Sequence, residues 1–205
     1  MKIIDLSHPI FDKMPVYPSD PEVKIVKEKE IQYNRSDLHT FSMGTHTGTH
    51  LDAPSHIINN GNSIDDIPLK SFIGRALKVD LSSYQKVLDF NEDLDGVVLN
   101  TGWYNKYKNP KIYFGKTRPK IPVEFIELLV EKGIKFFCCD LPSVDQSGST
   151  QKPIHNILLN KNVVIYESLT NLGKLPSNKI FNFIGFPLSF IGLDGSPVRA
   201  VAIIE

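Results

Sequence analysis

Three of the chain's six histidines fall within eleven residues, in the run Gly44-Thr45-His46-Thr47-Gly48-Thr49-His50-Leu51-Asp52-Ala53-Pro54-Ser55-His56. At the chain's average usage such a window should hold roughly a third of one. Neutral imidazole and carboxylate oxygen are the donors that suit Zn, Mn or Fe, so the residue types and their density point to a metal site. Spacing narrows the geometry. Gly44, Gly48 and Pro54 argue against a helix. A helix would also turn His50 and Asp52 about 200° apart, too far to share an ion. Extended backbone instead sends positions 46, 48, 50 and 52 to one side. We therefore expect a strand that aims His46, His50 and Asp52 at one point, with Gly48 leaving room for an ion. Pro54 ends that strand, and His56 falls on the following turn near the same site.

The remaining sequence must supply a scaffold. With 205 residues, 41% of them hydrophobic and 22% charged, the chain has the composition of one globular domain spanning 1–205. Lys plus Arg equals Asp plus Glu at 23 each, so neither a nucleic-acid partner nor a basic membrane-binding face is expected. The alternating charges from Lys24 to Glu30 read as a solvated strand or hairpin. Met1-Lys2-Ile3-Ile4-Asp5 meets an acid too early for a signal peptide, and no apolar run approaches the ~20 residues of a membrane span, so a cytoplasmic protein is expected. Cys138 and Cys139 are adjacent and have no other cysteine to pair with, which excludes a disulfide framework.

Short runs rich in Val, Ile and Phe predict strands at Ile3–Leu6, Arg75–Asp80, Gly96–Asn100, Ile134–Asp140, Val163–Glu167 and Pro197–Ile204. Glu22–Val26 and Leu38–Met43 also read as strands. Pro15, Pro18 and Pro21 recur every third residue and keep the loop Pro9–Pro21 extended. The clearest helix is Val123–Lys132, with Pro122 at its start, Phe125, Leu128 and Leu129 on one face, and Gly133 at its end. Pro142–Lys152 is a polar loop placed directly after a strand, where active-site loops often lie. The sum is a strand-rich α/β domain. His155 is the single histidine of the last two-thirds of the chain, and Glu167 ends a buried strand, where a carboxylate needs a partner.

The run T-H-T-G-T-H-L-D-A-P-S-H resembles the signature of the kynurenine formamidase and isatin hydrolase group of metal-dependent hydrolases, the cyclase family. It matches every defined position of that group's H-x-G-T-H-x-D-x-P-x-H pattern. The resemblance extends to Asp5-Leu6-Ser7-His8-Pro9-Ile10, Met14 to Pro21, Asp140 to Asp145, His155 to Leu159, Glu167 to Leu172 and Asp194 to Ala200. It implies the swivelling β/β/α-type fold and a two-metal site, with two Zn ions or Mn in their place. In that site His46 and His50 hold one ion, His155 holds the second, and Asp52 and Glu167 bridge both. His56 is implied as the general acid/base. The implied reaction is arylformamidase-like hydrolysis of a non-peptide C–N bond in a small aromatic or cyclic substrate, a chemistry of tryptophan catabolism.

In the kynurenine formamidases the proline-rich loop presents a tryptophan to the substrate. Tyr17 occupies that place here and could still stack. The family also implies homodimers or homotetramers. Two other readings stay open from the residues alone: ring opening of a lactone or isatin by the same ions, and a non-catalytic metal- or ligand-binding protein on the same scaffold.

Overall fold

Strand alternation distributes the apolar residues of the main sheet between two cores, and Met14, Val23, Tyr107 and Tyr113 form a third, smaller cluster. The computed structural model describes residues 1–89 and 93–204. A mixed nine-stranded sheet runs in the order β1 (Lys2–Asp5), β11 (Val201–Ile204), β9 (Ile180–Ile184), β5 (Ile73–Asp80), β6 (Gly96–Asn100), β7 (Phe136–Cys139), β8 (Val164–Glu167), β4 (His50–Asp52) and β10 (Gly195–Pro197). Strands β5 to β8 are parallel, and the outer pairings are antiparallel. Successive side chains leave a strand on opposite faces. Val98, Phe136, Cys138, Val164 and Tyr166 thus enter one core, and Val97, Leu99, Phe137, Cys139 and Ile165 enter the other.

Helices cover the second core. Phe125, Ile126 and Leu129 of α3 (Val123–Glu131) and Ile154, Leu158 and Leu159 of α4 (Pro153–Leu159) pack on it. Leu128, expected on the buried face of α3, is only partly buried, and Ile126 takes its place. The first core is closed by the sheet itself: Ile4, Leu51, Phe181, Phe183 and Ala202 converge there from four strands, which makes the sheet curl. Each fully buried side chain of this size stabilises by ~1.5–3 kcal/mol.

Two short helices, α1 (Ile31–Asn34) and α2 (Pro110–Tyr113), lie outside these layers. The first tips a separate hairpin of β2 (Lys24–Lys29) and β3 (Leu38–Ser42), the location of the alternating charges. Among the described residues no helix is long and apolar enough to cross a membrane.

The structure corrects three expectations. Residues 44–49 are a turn rather than a strand, with Gly48 at φ +62, so the extended segment is limited to His50–Asp52. Gly48 supplies backbone freedom, because a left-handed φ is strained for residues with a Cβ. The stretch Pro197–Ile204 divides into β10 and β11, at opposite ends of the sheet order. Pro197 lacks an N–H to continue a ladder, and Val198 bridges to Pro187 instead. Finally, β9 and α4 have no counterpart among the expected elements. The first carries an alternating I-F-N-F-I, and the second is too short for a helical period to stand out.

Candidate metal centre

Register builds the site. In the antiparallel β4–β8 pair His50 lies opposite Glu167 and Asp52 opposite Ile165, so His50, Asp52 and Glu167 share the face that carries the helices. His155 descends onto that face from the first turn of α4. His46 arrives from the turn before β4, and His56 from the 3₁₀ turn Pro54–His56 just after it. His46 needs space where β4 meets β10: a Cβ on Gly195 would lie 2.6 Å from His46 Cε1 and 2.9 Å from Leu51 O. Glycine at 195 is therefore part of the site.

Each of three imidazoles has one nitrogen held from outside and the other turned inward. His50 Nδ1 lies 2.9 Å from Gly48 O, and its Nε2 faces Asp52 Oδ1 at 3.3 Å and Glu167 Oε2 at 3.6 Å. His155 Nδ1 lies 2.6 Å from Asp145 Oδ2, while Nε2 faces Glu167 Oε1 at 3.5 Å and Asp52 Oδ2 at 3.6 Å. His46 Nε2 is 2.9 Å from Asp194 Oδ2, and its Nδ1 sits 2.7 Å from Asp52 Oδ1. Outer carboxylates and carbonyls of this kind fix the tautomer and orientation of metal-binding histidines.

Asp52 and Glu167 therefore each present one oxygen to each side of the cluster. Asp52 is buried, and its Oδ2 has no hydrogen-bond partner. A carboxylate oxygen buried and unpaired in this way is costly unless a cation joins it. Two sets of ligand atoms lie close enough for one ion each: His50, Asp52 and Glu167, and His46, Asp52 and His56. The donor set fits divalent cations. His56 falls within one of these sets, so position alone does not separate a ligand from an acid/base group there. Its Nδ1 also lies 3.3 Å from Asp194 Oδ2.

Electrostatics agree with a cation-seeking cavity. Burial alone would lower the histidine pKa values, but Asp52 and Asp194 push His46 up to about 9. Against the same burial, Asp52 and Glu167 raise His50 to about 10, and Asp145 with Asp52 raises His155 to about 10. The histidines in turn hold Asp52 well below the usual carboxylate range, against its burial. His56 differs, because burial prevails and lowers its pKa.

The cluster opens into a cavity of about 210 Å³ lined also by Tyr17, Arg118, Gln146 and Lys152. That is less than the ~300–1,000 Å³ usual for drug-sized ligands, so it suits a small substrate. Tyr17 lines the cavity, with its ring edge-on to Phe114 at 6.0 Å. Phe41 and Phe190 line a different groove. Asp194 and Asp145 lie in segments that carry the resemblance, but nothing in the sequence assigns their contacts with His46, His56 and His155. Asp194 heads the D-G-S-P-V-R segment, and Asp145 accepts from the N–H groups of Ile154 and His155 at the start of α4. Asp140 is fully buried and is occupied by Thr101 and Tyr104. Cys138 and Cys139 are free, and burial raises both thiols, so neither is an activated nucleophile.

Comparisons with known proteins show what the whole chain is similar to. Residues 4–146 match the family described as "Putative cyclase". The chain is 32% identical to a kynurenine formamidase of Salinibacter ruber, over 98% of this chain and 97% of that one. It is 33% identical to a kynurenine formamidase of Geobacillus thermodenitrificans, over 96% and 95% of the two chains. Among solved structures, isatin hydrolase A from Labrenzia aggregata superposes with a TM-score of 0.86 at 23% identity, covering 99% of this chain and 93% of that one. At that identity the likeness is one of fold.

Proposed function

This chain belongs to the cyclase family, and on that premise we propose that it is a metal-dependent hydrolase of an amide or formamide C–N bond in a small aromatic or cyclic compound. The carrying observation is the carboxylate pair, Asp52 facing His46, His50 and His155 and Glu167 facing His50 and His155, with one buried Asp52 oxygen unpaired. The kynurenine formamidase relatives support the arylformamidase-like form of the reaction. Two divalent ions, Zn or Mn, fit the count of donors, which exceeds what one tetrahedral ion needs. His46 and His50 would hold one and His155 the other, with Asp52 and Glu167 between them. When bound, such ions supply hydroxide near neutral pH and polarise the carbonyl under attack.

The chain's own side chains do the rest. His56, its Nδ1 directed to Asp194, keeps Nε2 free to deliver a proton to the departing amine nitrogen. Burial lowers the pKa of that imidazole, which favours its neutral, proton-accepting form. Tyr17 lies where an aromatic ring of the substrate would rest. We place the enzyme in the cytoplasm, consistent with two buried, unpaired thiols, and infer that it works as a homodimer or homotetramer.

A panel of N-formyl anilines, isatins and lactones, assayed with Zn or Mn, tests the reaction. N-formyl anilines should turn over fastest; preference for lactones or isatins would favour ring opening, and bound metal without turnover would leave a binding protein. In the same assays His50→Ala should lose an ion. His56→Ala should keep both ions and lose roughly 10²- to 10⁴-fold in turnover, the usual size of a general acid/base contribution. Equal metal loss in the two variants would make His56 a ligand.

A further inference from the structure

His50 and Glu167 lie opposite each other where the β4–β8 ladder ends. Their chain neighbours, Thr49 and Ser168, are the next pair that this register would bring together. Both are buried, and Ser168 sits at φ +55. A left-handed backbone is strained in any residue with a Cβ, so its surroundings must hold it there. The Thr49 hydroxyl donates to Ser168 O at 2.6 Å and accepts from the His8 N–H at 2.9 Å. Thr49 is itself fixed, its backbone carbonyl accepting from the Val198 N–H at 3.0 Å. The Ser168 N–H donates to Leu141 O at 2.8 Å, and its hydroxyl accepts from Tyr113 at 3.1 Å. Glu167 leaves β8 just before this turn. Its Oε1 accepts from the Val144 N–H at 2.7 Å and faces His155, while Oε2 faces His50 at 3.6 Å. A backbone shift at residue 168 would move both oxygens.

We propose that Thr49 is a positioning residue: its hydroxyl pins the left-handed turn at Ser168 and so sets Glu167 against His50 at the separation that a shared ion needs. Thr49 is not part of the cavity wall and acts only through its neighbours. Packing alone would not require the hydroxyl, since valine has the same branched shape. Groups that hold metal ligands from behind change metal affinity by about 10- to 100-fold when removed. The proposal rests on the metal-centre reading, but metal binding can be measured without turnover.

The test strips the full chain with a chelator and titrates it with Zn or Mn against a chromogenic chelator, with metal-free melting followed separately. Thr49→Val should bind about 10- to 100-fold more weakly than wild type. Thr49→Ser, which keeps the hydroxyl, should bind as wild type does. Adding Ser168→Gly to Thr49→Val should recover part of the loss, because glycine adopts a positive φ without strain. A packing role alone would lower the metal-free melting temperature of Thr49→Val and leave its affinity unchanged; that result in a folded variant overturns the proposal. So does an equal loss in Thr49→Ser, or no recovery when the turn is relaxed. Thr49→Ala stands in if Thr49→Val does not fold. Failure of both to fold, while Thr49→Ser folds, makes the hydroxyl a requirement of the fold and also overturns the proposal. Wild-type protein that binds neither ion removes the metal centre itself, and the positioning role with it.

Discussion

His46, His50 and His155 bind protons in the metal-free site more tightly than free histidines do, because Asp52, Glu167, Asp145 and Asp194 surround them. This has a consequence for stability. A group whose folded pKa is raised contributes stability fully present below its unfolded pKa, near 6.5 for histidine, and loses it as pH climbs through the folded value. For these three the folded values are about 9, about 10 and about 10, so the loss falls between roughly pH 6.5 and 10. Chelator-treated protein should therefore melt at lower temperature at pH 9.5 than at pH 7. Bound metal replaces the protons and should remove most of that slope, since metal binding releases them. Thermal melts with and without a chelator across this range check the point. A metal-free protein equally stable at both pH values would contradict the assigned surroundings of these imidazoles.

At the scale of elements, the site depends on where β4 is placed between β8 and β10. The ligand types and the His50–Asp52 spacing were legible in the sequence because period-two alternation is a local rule. His56 after Pro54 was legible for the same reason, since proline marks where the rule stops. Parity failed at His46: Gly48 adopts a positive φ, and the chain turns before the strand starts. The contacts of Asp194 and Asp145 were not legible, because they join these acids to histidines 148 and 10 residues away in sequence. The same applies to Gly195, whose purpose is visible only against the His46 ring. Gly195→Ala should bring its new Cβ into His46 Cε1 and the Leu51 carbonyl, neither of which can yield without moving a ligand or the β4–β10 ladder. Overpacking of this kind costs about 1–3 kcal/mol. The variant should show a lowered melting temperature and a weakened ion on the His46 side. Unchanged stability and full metal content would mean that the His46 ring has freedom to move aside.

At the scale of the whole molecule, one piece of the fold has no place in either core. The β2–β3 hairpin pairs only with itself among the described strands, and it exposes Val26, Ile31, Tyr33, Leu38 and Phe41. A two-stranded hairpin is marginal alone in water, so such a surface needs cover. At its root lies an apolar groove of about 1150 Å³, lined by Ile10, Ile25, Phe41, Leu188, Phe190 and Leu193 among others. We propose that the occupant is a second copy of the chain, the hairpin of each protomer lying against the groove of the other around a two-fold axis. Charge favours this: the chain is neutral overall, and Lys24, Lys27, Glu28, Lys29 and Glu30 mix both signs along the strand that would face its own copy. Sedimentation or light scattering at micromolar concentration should give twice the monomer mass, or four times if dimers pair further. Phe41→Glu and Leu188→Glu, each at a surface-exposed position, should shift the protein to monomer while near-native secondary structure persists. A wild-type chain that stays monomeric at high micromolar concentration would assign the hairpin a different cover. Dissociation without loss of metal would show that each protomer builds its centre alone, from β4, β8, β10 and α4.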